Sequence, residues 1–397
     1  MKIIGIDDEE EKKKVLNHKK IIITAIVATV VLIGVVLFCV YLGNRDFREF
    51  TDKYIFMKNV TENNLVSIPI DEGEDGFVYA YDKYICVLRQ NTLVGYNKSG
   101  NKEFELKVEV SNPIIDVNNR FLAIAEKEGK RIYLISDDKI LWDNQIDGSI
   151  LKISVNKNGY VSVILTGTTN KSVVQIFDSN GKSLFKTYLA YTAVDCDISN
   201  DNKNLSIAKV STNGTLAQTT IETISIPKAK EQETAPDAKL YNIEIESDKV
   251  PINLKYQDGN KLVCMFDNSV ELIKNDGYEE LLKLEEDGKK ITYGGIELNG
   301  EAFRVIEKNS LLSSETTVEI LNTSNGATNM YVFDGTIKEA FSSNSVIALN
   351  LGTEVHFIGT NGWLIKKYTS NQEVKRIVIN DNFAGIIYRD KVEIVNL

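Results

Sequence analysis

Only two histidines occur in the chain, His18 and His356, and this removes several chemistries at once. A histidine-rich zinc site cannot be assembled from a single imidazole beyond the apolar segment described below, and a Ser-His-Asp relay would have to rest on His356 alone. His356 takes the place that Gln175, Glu271, Glu319 and Glu393 hold in similar segments (VQI, VEL, VEI and VEI), so it reads as an exposed polar face position. Asp195, Asp197 and Asp201, with Ser199 and Asn200, are spaced like ligands of a calcium loop. An EF-hand also needs a central glycine and a distal bidentate glutamate, and neither falls in place. The run DISNDNKNLSIA reads more simply as strand, turn and strand. Glu285-Glu286-Asp287-Gly288 likewise reads as an acidic turn; only geometry decides whether it offers paired carboxylates for sugar cleavage. No P-loop, dinucleotide-binding fingerprint or G-x-S-x-G is present. No catalytic, cofactor-binding or metal-binding residue is assigned, and no cofactor is expected. Cys86, Cys196 and Cys264 make an odd count without C-x-x-C spacing, which suits free thiols.

The elements that position these residues begin with an anchor. Ile21 to Gly43, IIITAIVATVVLIGVVLFCVYLG, is uncharged and free of proline. As a helix it spans about 34 Å, enough for one bilayer crossing. Lys19 and Lys20 stand directly before it, behind Asp7–Glu11 and Lys12–Lys14. Lysine at this boundary favours a cytoplasmic N-terminus and an extracytoplasmic C-terminal domain on the plasma membrane. A cleaved signal has a shorter apolar run and small residues at its end, whereas this run closes on FCVYLGN. The chain therefore divides into a tail (1–20), a transmembrane helix (21–43), a juxtamembrane stalk (44–64) and an extracytoplasmic domain (65–397). Phe47, Phe50, Tyr54 and Met57 form a helical stripe. It is expected to continue the crossing and to pack on the domain or self-associate. Asp71 to Gly76 reads as an exposed acidic loop.

The chain holds 46 Lys+Arg against 56 Asp+Glu, and the part beyond Gly43 carries 40 against 51, so all of the excess negative charge lies there. Such a surface repels phosphate backbones, so nucleic acid is excluded as a partner. The same charge disfavours broad adhesion of the domain to anionic lipid. With only five prolines and no Gly/Ser linker, one large repetitive domain fits better than several separate ones.

From Val78 onward a unit of about forty residues recurs. Polar turns fall near Asp82, Asn119, Asn158, Asn202, Asn260, Asn299, Asn344 and Asp381. Each is followed by an apolar strand and then a second strand of alternating pattern. Glycine marks the next hairpin at Gly100, Gly181, Gly277, Gly326 and Gly362, with Asp137-Asp138 serving in the second unit. Four residues after the turn stand Cys86, Ala123, Ser162, Ser206, Cys264, Ala348 and Gly385, all small; Phe303 alone departs. The fourth unit is lengthened by Lys228 to Leu240, KAKEQETAPDAKL, a charged insertion expected to be a surface loop. Repeats of this size built from hairpins predict an all-β, eight-bladed β-propeller, with seven blades as the alternative. The last unit lacks an outer strand, and Leu65 to Ile70 is expected to supply it and close the ring.

The hairpins ISNDNKNLSIA, FDSNGKSLFK and YNKSGNKEFEL resemble those of WD-like and quinoprotein-like propellers. The layout resembles an uncharacterised family of single-pass membrane proteins of clostridia-like Gram-positive bacteria. That resemblance implies an extracytoplasmic propeller and no catalytic residues. A quinone-dependent dehydrogenase would bring tryptophan-rich docking motifs and a calcium site, and only Trp142 and Trp363 are present. The expected function is a non-enzymatic binding platform, a scaffold or sensor in the cell envelope. Its expected contacts are the bilayer through 21–43 and an envelope protein or polymer. A carboxylate-dependent extracellular hydrolase is the alternative.

Overall fold

The computed structural model describes residues 18–61, 65–214, 216–232, 238–246, 249–309 and 314–397. Asp7–Glu11 and Lys12–Lys14 lie outside the described residues. The chain divides into two compact units at Asn59/Val60.

The first unit contains helix α1, His18–Gly43, and helix α2, Arg45–Tyr54. Ile22–Gly43 of α1 has a mean hydropathy of 3.0. Sequence reasoning expects α2 to prolong α1, and the structure corrects this. Asn44 leaves helical geometry (φ −119°, ψ 114°) and its side chain accepts from the Phe47 N–H. It is thus the N-cap of a new helix, the position where a short polar acceptor satisfies an otherwise orphaned donor. Tyr41 Oη donates to Asp52 Oδ1 at 2.7 Å, and Lys58 Nζ lies 2.9 Å from the same oxygen. These bonds hold α2 against the end of α1.

The second unit is a ring of eight antiparallel sheets, each with four strands in blade order; one gains a short extra edge strand. Blades 1 to 7 occupy residues 78–107, 113–145, 149–189, 192–244, 251–283, 290–334 and 339–369. Blade 8 takes three strands from 376–396 and its outer strand from Val66–Pro69. Val66 opposes Ile394 and Ile68 opposes Val392, so an early segment closes the ring onto the last one, as the unpaired strand pattern predicts. Eight blades, not seven, are present.

The polar turn markers join the innermost strand of each blade to the second. Asp82, Asn119, Asn202, Asn260 and Asn344 all have φ between 48° and 60°. Asn and Asp visit this left-handed region more readily than other side chains. The chemistry of the turn is what makes the repeat visible. The small residues lie on the second strands, buried against the innermost ones: Cys86 faces Tyr79, Ala123 faces Asp116, and Ser206 faces Asp197. Phe303 obeys the same space requirement from the other side. Its cross-strand partner is Gly295, where an added Cβ would stand 2.4 Å from the Phe303 ring.

One loop expectation changes, and a second, the exposure of the acidic loop, holds at 71–73 and 76. The insertion after blade 4's third strand begins within a short helix, Ile226–Lys230, and buries Ile226, Ala229 and Ala238 with Leu184 and Leu189 of blade 3. It is anchored at both ends by apolar residues that its charge obscures; residues 233–237 lie outside the described residues. The acidic loop is also tied down, with Glu74 paired to Arg89 at 3.2 Å and Glu72 paired to Arg389.

Candidate functional site

The innermost strands enclose a polar central channel. A cavity of about 440 Å³ is lined by blades 1, 2, 7 and 8, including Tyr79, Asp82, Asn119, Arg376 and Asn382. A second, of about 320 Å³, shares Asn119, Asn344 and Asp381 with it and adds Lys157, Gln257 and Asn299. Deeper in, Asp116, Lys152, Asp195, Asp197, Lys255 and Glu297 converge around a space of about 60 Å³.

These carboxylates hold neighbouring blades together. Asp116 Oδ2 accepts from the Val155 N–H at 2.6 Å, joining blades 2 and 3. Asp195 and Asp197 accept from the Leu254 and Tyr256 N–H groups at 2.8 and 2.7 Å, joining blades 4 and 5. An innermost strand has one open edge, and its donors would otherwise be unsatisfied. Lys152 pairs with Asp195 at 2.9 Å, and Lys255 pairs with Glu297.

The electrostatics differ within this small group. Burial pushes the Asp116 carboxyl up to about 6, against the Val155 hydrogen bond, and Asp197 up to about 7, against that of Tyr256. Burial also raises Asp195, opposed by Lys152. Burial acts against Lys255 as well, but Glu297, Asp116 and Asp197 carry it above its ordinary value. Glu297 is held below the usual carboxylate range because Lys255 outweighs burial. Both side chains of that pair still meet channel solvent, at 24% and 42% exposure.

Hydrogen bonds at the channel mouth bridge seven of the eight blade joints. Tyr81 Oη donates to the Arg120 carbonyl at 2.8 Å, and Asn158 Nδ2 to that of Asn200 at 2.8 Å. Asn200 Nδ2 reaches the Gln257 carbonyl at 3.0 Å, and the Asp258 N–H the Asn299 carbonyl at 2.6 Å. The Asn299 N–H donates to Asn344 O at 2.8 Å, and Ser345 Oγ to Asp381 Oδ1 at 2.7 Å. Asn380 Nδ2 adds the seventh bridge at the Asp82 carbonyl, 2.6 Å away. With Asp116 serving blades 2 and 3, all eight joints are bridged.

The residues singled out from sequence fall in different places. Asp195 and Asp197 lie in the channel, whereas Asp201 caps the following turn, accepting from Ser199 Oγ at 2.7 Å and the Lys203 N–H at 3.1 Å. They do not share a calcium loop. Among the described residues, no group of three or more His, Cys, Asp or Glu side chains is arranged to hold a metal ion. Glu285 and Glu286 sit in the connection from blade 5 to blade 6, with Glu286 paired to Lys289 and Arg304. His356 is not on an exposed face: it is 4% exposed, with Nδ1 3.1 Å from Tyr331 Oη and Nε2 2.6 Å from Glu354 Oε1. Burial works against the charge on Glu354, yet His356 and Lys367 hold its carboxyl down to about 2. Glu222, Glu271 and Glu393, on other third strands, are buried too and paired with Lys209, Lys249 and Lys391. Third-strand polarity marks ion pairs inside the ring, not a wet face. Cys86, Cys196 and Cys264 are buried free thiols.

Asp116, Lys152, Lys255 and Glu297 escaped sequence reasoning. The signal of the first three was present as charges within the apolar strands PIIDVN, SILKISV and PINLKYQ, each ahead of a polar turn; Glu297 lies just beyond the strand Lys290–Gly295.

Eight four-stranded blades around a polar channel, closed by an N-terminal strand, define the molecule as an eight-bladed β-propeller. The chain belongs to the family of unknown function DUF5711, whose model matches residues 57–397. No curated protein matches it. Among solved structures it is similar to BamB from Moraxella catarrhalis (12% identity, TM-score 0.49, covering 84% of this chain and 97% of that one). It is also similar to Hsv2 from Kluyveromyces lactis (9%, 0.42, 73% and 93%) and to BBS1N solved with ARL6DN (12%, 0.41, 84% and 97%).

Proposed function

We propose that this chain is a membrane-anchored, extracytoplasmic binding platform, a scaffold or sensor, whose channel mouth engages an envelope protein or polymer. The observation that carries this reading is the circuit of hydrogen bonds around the mouth, which bridges seven of the eight blade joints. It fixes amides, hydroxyls and carboxylates on a rim that need not be ordered on binding, and preorganisation is what lets a polar surface bind well. Propellers bind through the loops at the ends of their channels. The long apolar helix α1 supports the anchor, and Lys19 and Lys20 support a cytoplasmic N-terminus. The resemblance to single-pass clostridia-like proteins points the same way. Three channel carboxylates already hold backbone N–H groups of the next blade, which favours a non-enzymatic role. The test is photo-crosslinking in intact cells from positions 157 and 382 at the mouth and 128 and 268 at the opposite end of the blades. One reproducible partner from the mouth alone is expected; equal, scattered products from both ends would refute the assignment.

A second reading, a carboxylate-dependent hydrolase, has one observation in its favour. Asp197 is raised to about 7 while Glu297 is lowered, and carboxyls pushed apart in this way divide acid and base roles. Turnover of envelope glycans that disappears in both Asp197→Asn and Glu297→Gln would establish it. No turnover by the unaltered protein would remove it.

A further inference from the structure

The first unit carries an apolar surface that its own helices leave uncovered. Phe50 (55%), Tyr54 (59%), Ile55 (61%), Phe56 (56%) and Met57 (75%) are all exposed. Five large apolar side chains gathered within eight residues mark an interaction site. What they touch fixes their level. The Phe56 ring packs edge-on against Tyr41, in the last turn of α1, with centroids 5.9 Å apart. Tyr41 is itself bonded to Asp52 of α2, and Arg48 Nε donates to the Tyr41 carbonyl at 3.1 Å. The rings of Phe50 and Tyr54, one turn apart on α2, lie with centroids 5.1 Å apart and inclined at 45°. The patch is thus held at the end of the apolar helix, where a crossing helix leaves the hydrocarbon.

We propose that α2 and the turn after it form an interfacial foot, with Phe50, Tyr54, Ile55, Phe56 and Met57 seated at headgroup level in the bilayer that α1 crosses. This rests on the reading of α1 as a membrane anchor. The partner is lipid because the patch continues from the exposed surface of α1, whose residues 22–40 are exposed and uncharged throughout. Its composition fits the same level. Aromatic rings favour the membrane–water boundary, and lysine stems lie along apolar surface while their ammonium groups reach water and phosphate. Lys53 Nζ stands 5.0 Å from the Tyr54 ring centre, whereas Lys58 Nζ, 5.6 Å from that of Phe56, is engaged by Asp52. On the side of α2 opposite Phe50 and Tyr54, Asp52 is buried and hydrogen-bonded to Tyr41, so the helix shows distinct polar-bonded and apolar faces. The end of α2 supports this arrangement. The Ile55 and Phe56 N–H groups both return to the Thr51 carbonyl, and Met57 turns the chain through the left-handed region at φ 49°. Ile55, Phe56 and Met57 are thereby fixed beside Phe50 and Tyr54.

The test is depth measurement on the full chain in phosphatidylcholine–phosphatidylglycerol vesicles. Single cysteines are introduced by Phe50→Cys, Met57→Cys and Leu37→Cys in a Cys39→Ser background, since the remaining thiols are buried. Each is labelled with a polarity-sensitive fluorophore and quenched by nitroxide lipids at headgroup or mid-chain depth. The expected result is mid-chain quenching at 37, with blue-shifted emission at 50 and 57 quenched most strongly from the headgroup level. Red-shifted, unquenched labels at 50 and 57 beside a deeply quenched 37 would overturn the foot and leave the anchor standing. Blue-shifted but unquenched labels at 50 and 57 would also overturn it, since protein would then cover the patch. No quenching at 37 would remove the anchor reading and the foot with it.

Discussion

The side-chain amide of Asn380 donates to the main-chain carbonyl of Asp82 at 2.6 Å, across 298 positions of sequence. It joins blade 8 to blade 1 at the same seam that Val66–Pro69 closes by pairing with Lys391–Asn396. The joint is fastened twice, by a strand at the rim and by a turn at the channel.

Removing 391–397 takes away the strand that links the outer and second strands of blade 8. A domain lacking these residues is expected to lose its cooperative melting transition; a sharp calorimetric transition in the truncated protein would contradict closure. Asn380→Ala removes three side-chain hydrogen bonds, the one to the Asp82 carbonyl and those that Oδ1 accepts from the Asn382 and Phe383 N–H groups, and is expected to cost about 1.5–4.5 kcal/mol in urea unfolding, leaving the transition sharp.

Phe303 and Gly295 share one volume. Phe303→Ala is expected to cost about 3–5 kcal/mol through the cavity it leaves. Gly295→Ala drives a methyl group into the ring and is expected to cost about 1–3 kcal/mol. The double variant should be more stable than the sum of the two costs predicts, because the new methyl occupies the vacated space. Additive losses in chemical denaturation would show that the two residues do not compensate.

The channel carboxyls predict an unusual pH response. Asp116 and Asp197 have an ordinary value of 3.8 and titrate near 6 and 7 in the fold. The native state therefore binds more protons than the unfolded chain over this interval, and charging the groups costs stability as pH rises. Their contribution is most favourable below about pH 4 and is lost through pH 6 to 7, with a slope of at most about 1.4 kcal/mol per pH unit for each group. Glu297 and Glu354 are lowered and act in the opposite sense, but only as pH falls below the ordinary glutamate range. Stability should thus increase on going from pH 8 to 5. An Asp116→Asn/Asp197→Asn protein should lose most of this slope; an unchanged slope would assign it to other groups.

Inside blade 4, Glu222 is fully buried and bound by Lys209 at 2.6 Å and Lys239 at 2.8 Å. Breaking a buried pair leaves an uncompensated charge, which costs up to about 3–5 kcal/mol. Lys209→Met should approach the lower end of that range, because Lys239 remains. Adding Glu222→Leu should recover part of the loss. A double variant less stable than Lys209→Met would show that the carboxylate is held by more than its lysines.

The repeat was legible because its punctuation is conformational. Asn119, Asn202, Asn260 and Asn344 adopt a backbone geometry that few other residues tolerate, so similar turns required similar residues. Ring closure was legible because Leu65 to Ile70 had strand character and no partner nearby. The channel was not. A carboxylate bonded to a neighbouring blade's N–H has the same sequence appearance as one facing water, and the distinction lies in a contact 39 residues away for Asp116 and 59 for Asp195. The polar third-strand residues misled for the same reason. His356 follows the alternation of a half-wet strand, but the outer strand of blade 6 brings Tyr331 and Phe333 over it. The break at Asn44 was visible as a capping residue three positions before Phe47, yet the aromatic stripe drew attention to continuity instead.

The pairing of Val66–Pro69 with Lys391–Asn396 also sets a timetable for biosynthesis. At roughly 5–20 residues per second, several tens of seconds separate the synthesis of the two halves of this sheet. Until the later half emerges, the earlier strand has no place to dock, and the edges at the seam stay open. A nascent ring of this kind cannot be completed blade by blade. Its last joint forms only after its most distant partner has been made, which keeps the chain open through most of its translation.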